Sequence, residues 1–271
     1  MTNREPLSML HAEVEGQGPR IVLIHGFSQN RNCWGPLASD LATDHEVVRI
    51  DAPGHGRSSE FHAGLRTGAR LIADQGGRAI YLGYSMGARF ALHLAVANPE
   101  LVERLVLVGG TGGIDDPEAR AERKRNDEAM AVRLERDGVD RFLEAWLAQP
   151  LFSGLSEEMQ FLEERRENTV EGLAESLRQA GTGSQDPLWS RLSALDMPVL
   201  VVAGADDGKF SAEGARLQQC IGANATLELI PDAGHAAHLE QPDLVVAVLR
   251  RWLAEHGVDG TTGRAGDSSA G

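Results

Sequence analysis

The chain has 271 residues and two cysteines, enough for one large α/β domain or a core with an inserted subdomain, and too few cysteines for a disulfide scaffold. A net charge of −14 argues against nucleic acid and anionic membranes as partners, and no apolar run approaches the ~20 residues of a membrane span. Met1–Pro6 is polar and lacks a signal peptide's apolar segment, and Cys33 and Cys220 lie far apart without metal-type spacing, so a cytoplasmic chain without a metal site is expected.

Ser8–Val14 alternates loosely and predicts an edge strand, closed by the turn Gly16-Gln17-Gly18-Pro19. Arg20–His25 is a short continuous apolar run, the pattern of a buried parallel strand. It runs into His25-Gly26-Phe27-Ser28. A helix over Trp34–Ala42, a strand over Glu46–Ile50 and a helix over Leu65–Gln75 follow. Next comes a strand at Ala79–Leu82, then Gly83-Tyr84-Ser85-Met86-Gly87, then an Ala/Leu-rich helix. Arg104–Val108 is another buried strand. This alternation predicts an α/β fold with a mostly parallel central sheet flanked by helices.

From about Gly113 to Thr182 the pattern changes. No convincing strand occurs, and helices are expected over Asp116–Asp137, Asp140–Ala148, Ser156–Glu167 and Val170–Gln179. Four helices are too many for one crossover, so residues 113–185 read as a helical cap inserted into a core made of 1–112 and 186–257. The core resumes with a strand at Pro198–Ala203, a helix at Ala212–Cys220, a strand at Thr226–Ile230 and a closing amphipathic helix at Gln241–His256. Residues 258–271 are rich in Gly, Ser and Thr and are expected to be a disordered tail.

Strand, G-x-S-x-G and helix in succession are the context of a nucleophile elbow, which stands Ser85 clear of the sheet above a helix N-terminus. A serine near neutral pH needs an imidazole to take its proton, and the imidazole needs an oriented carboxylate. In elbow folds these follow in the order Ser, Asp/Glu, His, each just after a strand. His235, in the Gly-flanked loop after the last strand, is the candidate base. His238 and His55 are the alternatives, placed in a following turn and in an earlier structural loop. Asp206 and Asp207 both follow the strand at Pro198–Ala203. Successive side chains there point different ways, so only one faces His235, and spacing does not choose between them. Backbone N–H groups of Met86, at the helix N-terminus, and of Phe27, after the first buried strand, are the expected oxyanion hole. Arg89 lies one helical turn beyond Ser85 and can flank it.

With these residues in place, the chain resembles the α/β-hydrolase superfamily over residues 8–256. The resemblance rests on His25-Gly26, Asp51-x-Pro53-Gly54-His55-Gly56-x-Ser58, Gly83-x-Ser85-x-Gly87 and Gly234-His235, and it implies the α/β-hydrolase fold with an inserted cap. It does not by itself imply one reaction. A narrower resemblance runs through core and cap: Gly83-Tyr84-Ser85-Met86-Gly87-Ala88-Arg89, Ala121-Glu122-Arg123 with Asn126-Asp127, Trp146-x-x-Gln149-Pro150-Leu151-Phe152, Gly181-Thr182-Gly183-x-Gln185-x-Pro187-Leu188-Trp189 and Asp207-x-Lys209-Phe210. In these the chain is similar to the 2-succinyl-6-hydroxy-2,4-cyclohexadiene-1-carboxylate synthases, lyases of menaquinone biosynthesis that eliminate pyruvate. Ala88 departs from the family, in which a second glycine often follows the elbow. The resemblance implies Asp207 as the acid and a substrate with three carboxylates. It further implies Tyr84, Trp146, Arg123, Arg166 and Lys209 as site residues beside Arg89, and no cofactor; Arg165 and Arg125 read as surface charges, with the choice between Arg166 and Arg165 as the pocket-facing arginine left open. The partner is then a small polyanionic substrate, with monomer and homo-oligomer both open. A serine hydrolase using the same three residues and a non-catalytic ligand-binding protein are the competing readings.

Overall fold

In the computed structural model, residues 9–257 are described; the tail expected over 258–271 lies outside them. Seven strands form one sheet in the order β1-β3-β2-β4-β5-β6-β7: β1 Ala12–Glu15, β2 Arg20–Ile24, β3 Glu46–Ile50, β4 Ala79–Tyr84, β5 Val102–Val108, β6 Val199–Gly204 and β7 Ala225–Ile230. Only β1 runs antiparallel, against β3. The connections reverse direction across the sheet between β2 and β4. In open α/β sheets ligands bind in the crevice at the carboxyl ends of the strands flanking such a point.

Helices α1 (Pro36–Leu41), α2 (Leu65–Gly76) and α3 (Met86–Ala97) precede the insert, and α7 (Gly208–Ile221), α8 (Ala237–Glu240) and α9 (Pro242–Glu255) follow it. Alternate residues of β2 enter opposite cores. Val22 and Ile24 pack with Phe90 of α3, while Ile21 and Leu23 pack with Trp34 and Trp252. A strand apolar on both faces is what a doubly covered parallel sheet requires.

Between β5 and β6 lie α4 (Pro117–Leu147), α5 (Leu162–Arg166) and α6 (Val170–Ala180). Leu134, Leu143, Leu173 and Leu177 give α4 and α6 an apolar core of their own. The helices expected over Asp116–Asp137 and Asp140–Ala148 are the two halves of α4, divided at Gly138, whose φ of 79° is non-helical. The continuous helix expected over Ser156–Glu167 is broken: Phe161 is left-handed (φ 52°), and α5 starts after it. The closing helix expected over Gln241–His256 is α9; the short α8 precedes it and ends before Pro242, which cannot continue it. Entry to and exit from the insert are joined. Leu188 N–H donates to Gly112 O (2.8 Å), Trp189 Nε1–H to Gly113 O (2.9 Å) and Gln185 Nε2–H to Thr111 O (3.1 Å).

Candidate active site

Ser85 sits between β4 and α3 with φ 50°, a conformation a β-carbon makes costly and the surroundings must hold. Its N–H donates to Val108 O at the end of β5 (2.8 Å). A side chain on Gly83 would collide with the Gly87 backbone, and one on Gly87 with the carbonyls of Ile24 and His25. The two glycines therefore let strand, turn and helix approach closely enough to present the serine.

Ser85 Oγ–H points at His235 Nε2 (2.9 Å), and His235 Nδ1–H at Asp207 Oδ2 (3.1 Å). Asp207 is the N-cap of α7, where its Oδ1 accepts Phe210 N–H (3.1 Å), leaving Oδ2 for the histidine. Burial pushes the Asp207 pKa up, but the hydrogen bonds from His235 and Phe210 N–H outweigh it and hold the carboxyl below its ordinary value. The imidazole is walled by Phe210 (4.2 Å between ring centroids) and Tyr84 (5.4 Å).

Met86 opens α3, so its N–H has no carbonyl to meet within the helix. Phe27 N–H has no acceptor among the described residues, and buried histidines set the loop that carries it. His55 Nε2 accepts Ser28 N–H (3.2 Å) while its Nδ1–H meets Pro53 O (3.0 Å); His25 Nε2 accepts Ala52 N–H (3.0 Å). Burial lowers their pKa values to about 3 and about 4, so both rings stay neutral and can accept. His238 is buried as well, its pKa pushed down to about 3 by burial, and it packs on Tyr84 and Trp34 away from Ser85.

A cavity of about 350 Å³ lies over Ser85 between core and insert. It is walled by Phe27, Met130, Trp146 and Phe152 on apolar sides, and four cations line it: Arg89, Arg123, Arg165 and Lys209. Arg89 is 7% exposed, and its guanidinium donates to Ala180 O (2.6 Å). Burial, and secondarily Arg123, lowers its pKa to about 10 against the opposing pull of Asp127. Arg123 donates to Asp127 Oδ1 (2.7 Å), and Oδ2 of that buried carboxylate accepts Gly183 N–H (3.1 Å). Trp146 Nε1–H faces no acceptor among the described residues.

One expectation is corrected. Arg166 does not line the cavity; its side chain is 43% exposed and pairs with Asp140 (2.8 Å) and Glu163. Arg165, expected at the surface, is 1% exposed and lines the cavity. It donates through Nε to Gln160 O (2.7 Å) and through Nη1 to Ser28 Oγ (2.5 Å). Burial depresses its pKa, and no carboxylate lies within 4.0 Å of it among the described residues. The resemblance that implied Arg166 falls one residue from the arginine that α5, starting after left-handed Phe161, turns into the cavity. Arg125, the other expected surface arginine, is exposed.

The arrangement can move a proton from the serine to a histidine beside two cavity-lining residues, Phe27 and Met86, whose N–H groups have no partner among the described residues, under a ceiling of fixed positive charge. A model of the alpha/beta hydrolase family matches residues 21–248. A putative 2-succinyl-6-hydroxy-2,4-cyclohexadiene-1-carboxylate synthase of Bacillus subtilis is 34% identical over 89% of this chain and 93% of its own length. The synthase of that name from Serratia proteamaculans is 31% identical over 92% of this chain and 100% of its own. Among solved structures, MenH from S. aureus superposes with a TM-score of 0.85 at 29% identity, covering 92% of this chain and 99% of that one.

Proposed function

The chain belongs to the alpha/beta hydrolase family and, within it, to the 2-succinyl-6-hydroxy-2,4-cyclohexadiene-1-carboxylate synthases, and from that premise we propose how its site eliminates pyruvate from 2-succinyl-5-enolpyruvyl-6-hydroxy-3-cyclohexene-1-carboxylate in menaquinone biosynthesis. Ser85 takes the ring proton next to the succinyl ketone as its own proton passes to His235 Nε2. Asp207 holds the resulting imidazolium. The ketone oxygen gains negative charge and is met by the N–H groups of Phe27 and Met86. Ring electrons then shift and break the bond to the enolpyruvyl oxygen, which takes the proton from the His235 imidazolium and restores the neutral histidine, and the released enol tautomerises to pyruvate. No acyl-serine forms.

The observation that supports this reading best is the cavity's charge. Three cations there, Arg89, Arg165 and Lys209, lack a carboxylate partner among the described residues, in a chain whose net charge is −14. Buried guanidinium groups are costly unless an anion completes them, and a substrate with three carboxylates does so through planar, bidentate contacts. Tyr84 and Trp146 complete the pocket. A cytoplasmic setting fits the two free cysteines.

The test follows pyruvate release from substrate generated in place by the preceding synthase from isochorismate and 2-oxoglutarate, against a no-enzyme control. Ser85→Ala is expected to lower the rate by about 10³-fold or more. Release at the wild-type rate sinks the mechanism.

A further inference from the structure

Glu240 ends α8, and its side chain turns back beneath the histidine loop. Oε2 accepts Gly234 N–H at 2.7 Å and Oε1 accepts Ala236 N–H at 2.9 Å. The two oxygens thus hold the backbone N–H groups of the residues on both sides of His235. Charge-assisted hydrogen bonds of this kind are roughly twice as strong as neutral ones. The insert meets the same carboxylate from the other side. Gly154, just past the turn Pro150–Phe152, packs so closely that a β-carbon there would fall on Glu240 Oε2.

The contacts of the imidazole itself fix its rotation: Asp207 at Nδ1, and the Tyr84 and Phe210 rings on its sides. They do not fix how far the ring reaches toward Ser85. That distance depends on the His235 backbone, which Glu240 grips. We propose that Glu240 is a positioning residue for His235, clamping the histidine backbone at the reach that brings Nε2 to Ser85 Oγ and tying that reach to the Pro150–Gly154 segment of the insert. The proposal rests on the reading above only in taking His235 as the base that deprotonates Ser85.

The experiment compares wild type, Glu240→Ala and Glu240→Gln in two reactions: pyruvate release, giving kcat and KM, and phosphonylation of Ser85 by a fluorophosphonate. Phosphonylation needs the serine–histidine pair but no ring substrate. A wild-type chain that labels yet releases no pyruvate therefore counts against the lyase reading alone, and labelling still decides the role of Glu240. Glu240→Ala is expected to lower kcat and the labelling rate together by about 30–100-fold, with KM within about threefold, because a sub-ångström misplacement of a base costs that much. Glu240→Gln keeps one acceptor and is expected to lose about tenfold. The downfield NMR signal of the His235 Nδ1 proton is expected to move in both variants. A Glu240→Ala chain with wild-type near-UV circular dichroism that labels within about twofold of wild type overturns the proposal. Should the alanine variant not fold, the same outcome in Glu240→Gln overturns it.

Discussion

At the scale of single residues, Arg165 carries the sharpest consequence. A guanidinium 1% exposed and lacking a carboxylate among the described residues is held by Gln160 O and Ser28 Oγ, with further N–H donors left for a ligand. Arg165→Met is expected to raise KM by about 10–100-fold, the range for losing one charged hydrogen bond to an anion. Arg166→Ala should leave KM within about twofold, since its partners Asp140 and Glu163 are exposed and such surface pairs contribute little. Equal effects of the two substitutions in steady-state assays refute this assignment. The adjacent acids make a second contrast. Residue spacing leaves Asp206 and Asp207 equivalent, whereas in the fold one of them also caps a helix. The cap fixes that carboxylate's rotamer, so Asp207 meets His235 and Asp206 does not.

At the scale of elements, α5 and the loop after it are latched to the loop that carries Phe27. Asn168 Nδ2–H donates to Ser28 O (2.9 Å) and Gln29 O (3.3 Å), while its Oδ1 accepts Gly56 N–H (2.8 Å). Asn168→Ala orphans buried backbone groups and is expected to cost about 2–3 kcal/mol in urea unfolding. It should also lower kcat by about tenfold, because the same contacts hold the loop that carries Phe27, the proposed oxyanion donor. Unchanged stability in the denaturation curve contradicts the latch. No spacing rule shows such a contact, whose partners stand 140 and 112 residues apart. The strands were legible for the opposite reason: buried parallel strands such as Val199–Gly204 announce themselves as uninterrupted apolar runs. The elbow was legible because backbone collisions demand both glycines, Gly83 against Gly87 and Gly87 against Ile24 and His25, at a fixed spacing around the serine. Arg165 was hidden because the resemblance fell on its neighbour Arg166, and two adjacent arginines on a short helix carry no pattern that says which one turns inward.

At the scale of the whole molecule, four buried histidines make stability depend on pH. Burial lowers the pKa of His25 and His93 to about 4 and of His55 and His238 to about 3. The unfolded chain protonates them near pH 6.5, so unfolding takes up protons below that value. Their contribution is complete above about pH 6.5 and is lost as the pH falls toward the folded values, at up to about 1.4 kcal/mol per pH unit for each histidine. Urea midpoints measured from pH 7.5 to 4.5 should therefore fall steeply below 6.5, and a flat profile excludes these rings as neutral core groups. The joined stem of the insert has a consequence of another kind. Gly112 and Gly113 on the way out meet Leu188 and Trp189 on the way back, so the core's own chain is closed across the gap without help from the helices above. Ser85, Asp207 and His235 all lie on the core side of that closure, whereas Arg123 and Arg165 lie beyond it. Inheritance can thus trade one helical graft for another, altering which anions are admitted while the proton relay stays intact.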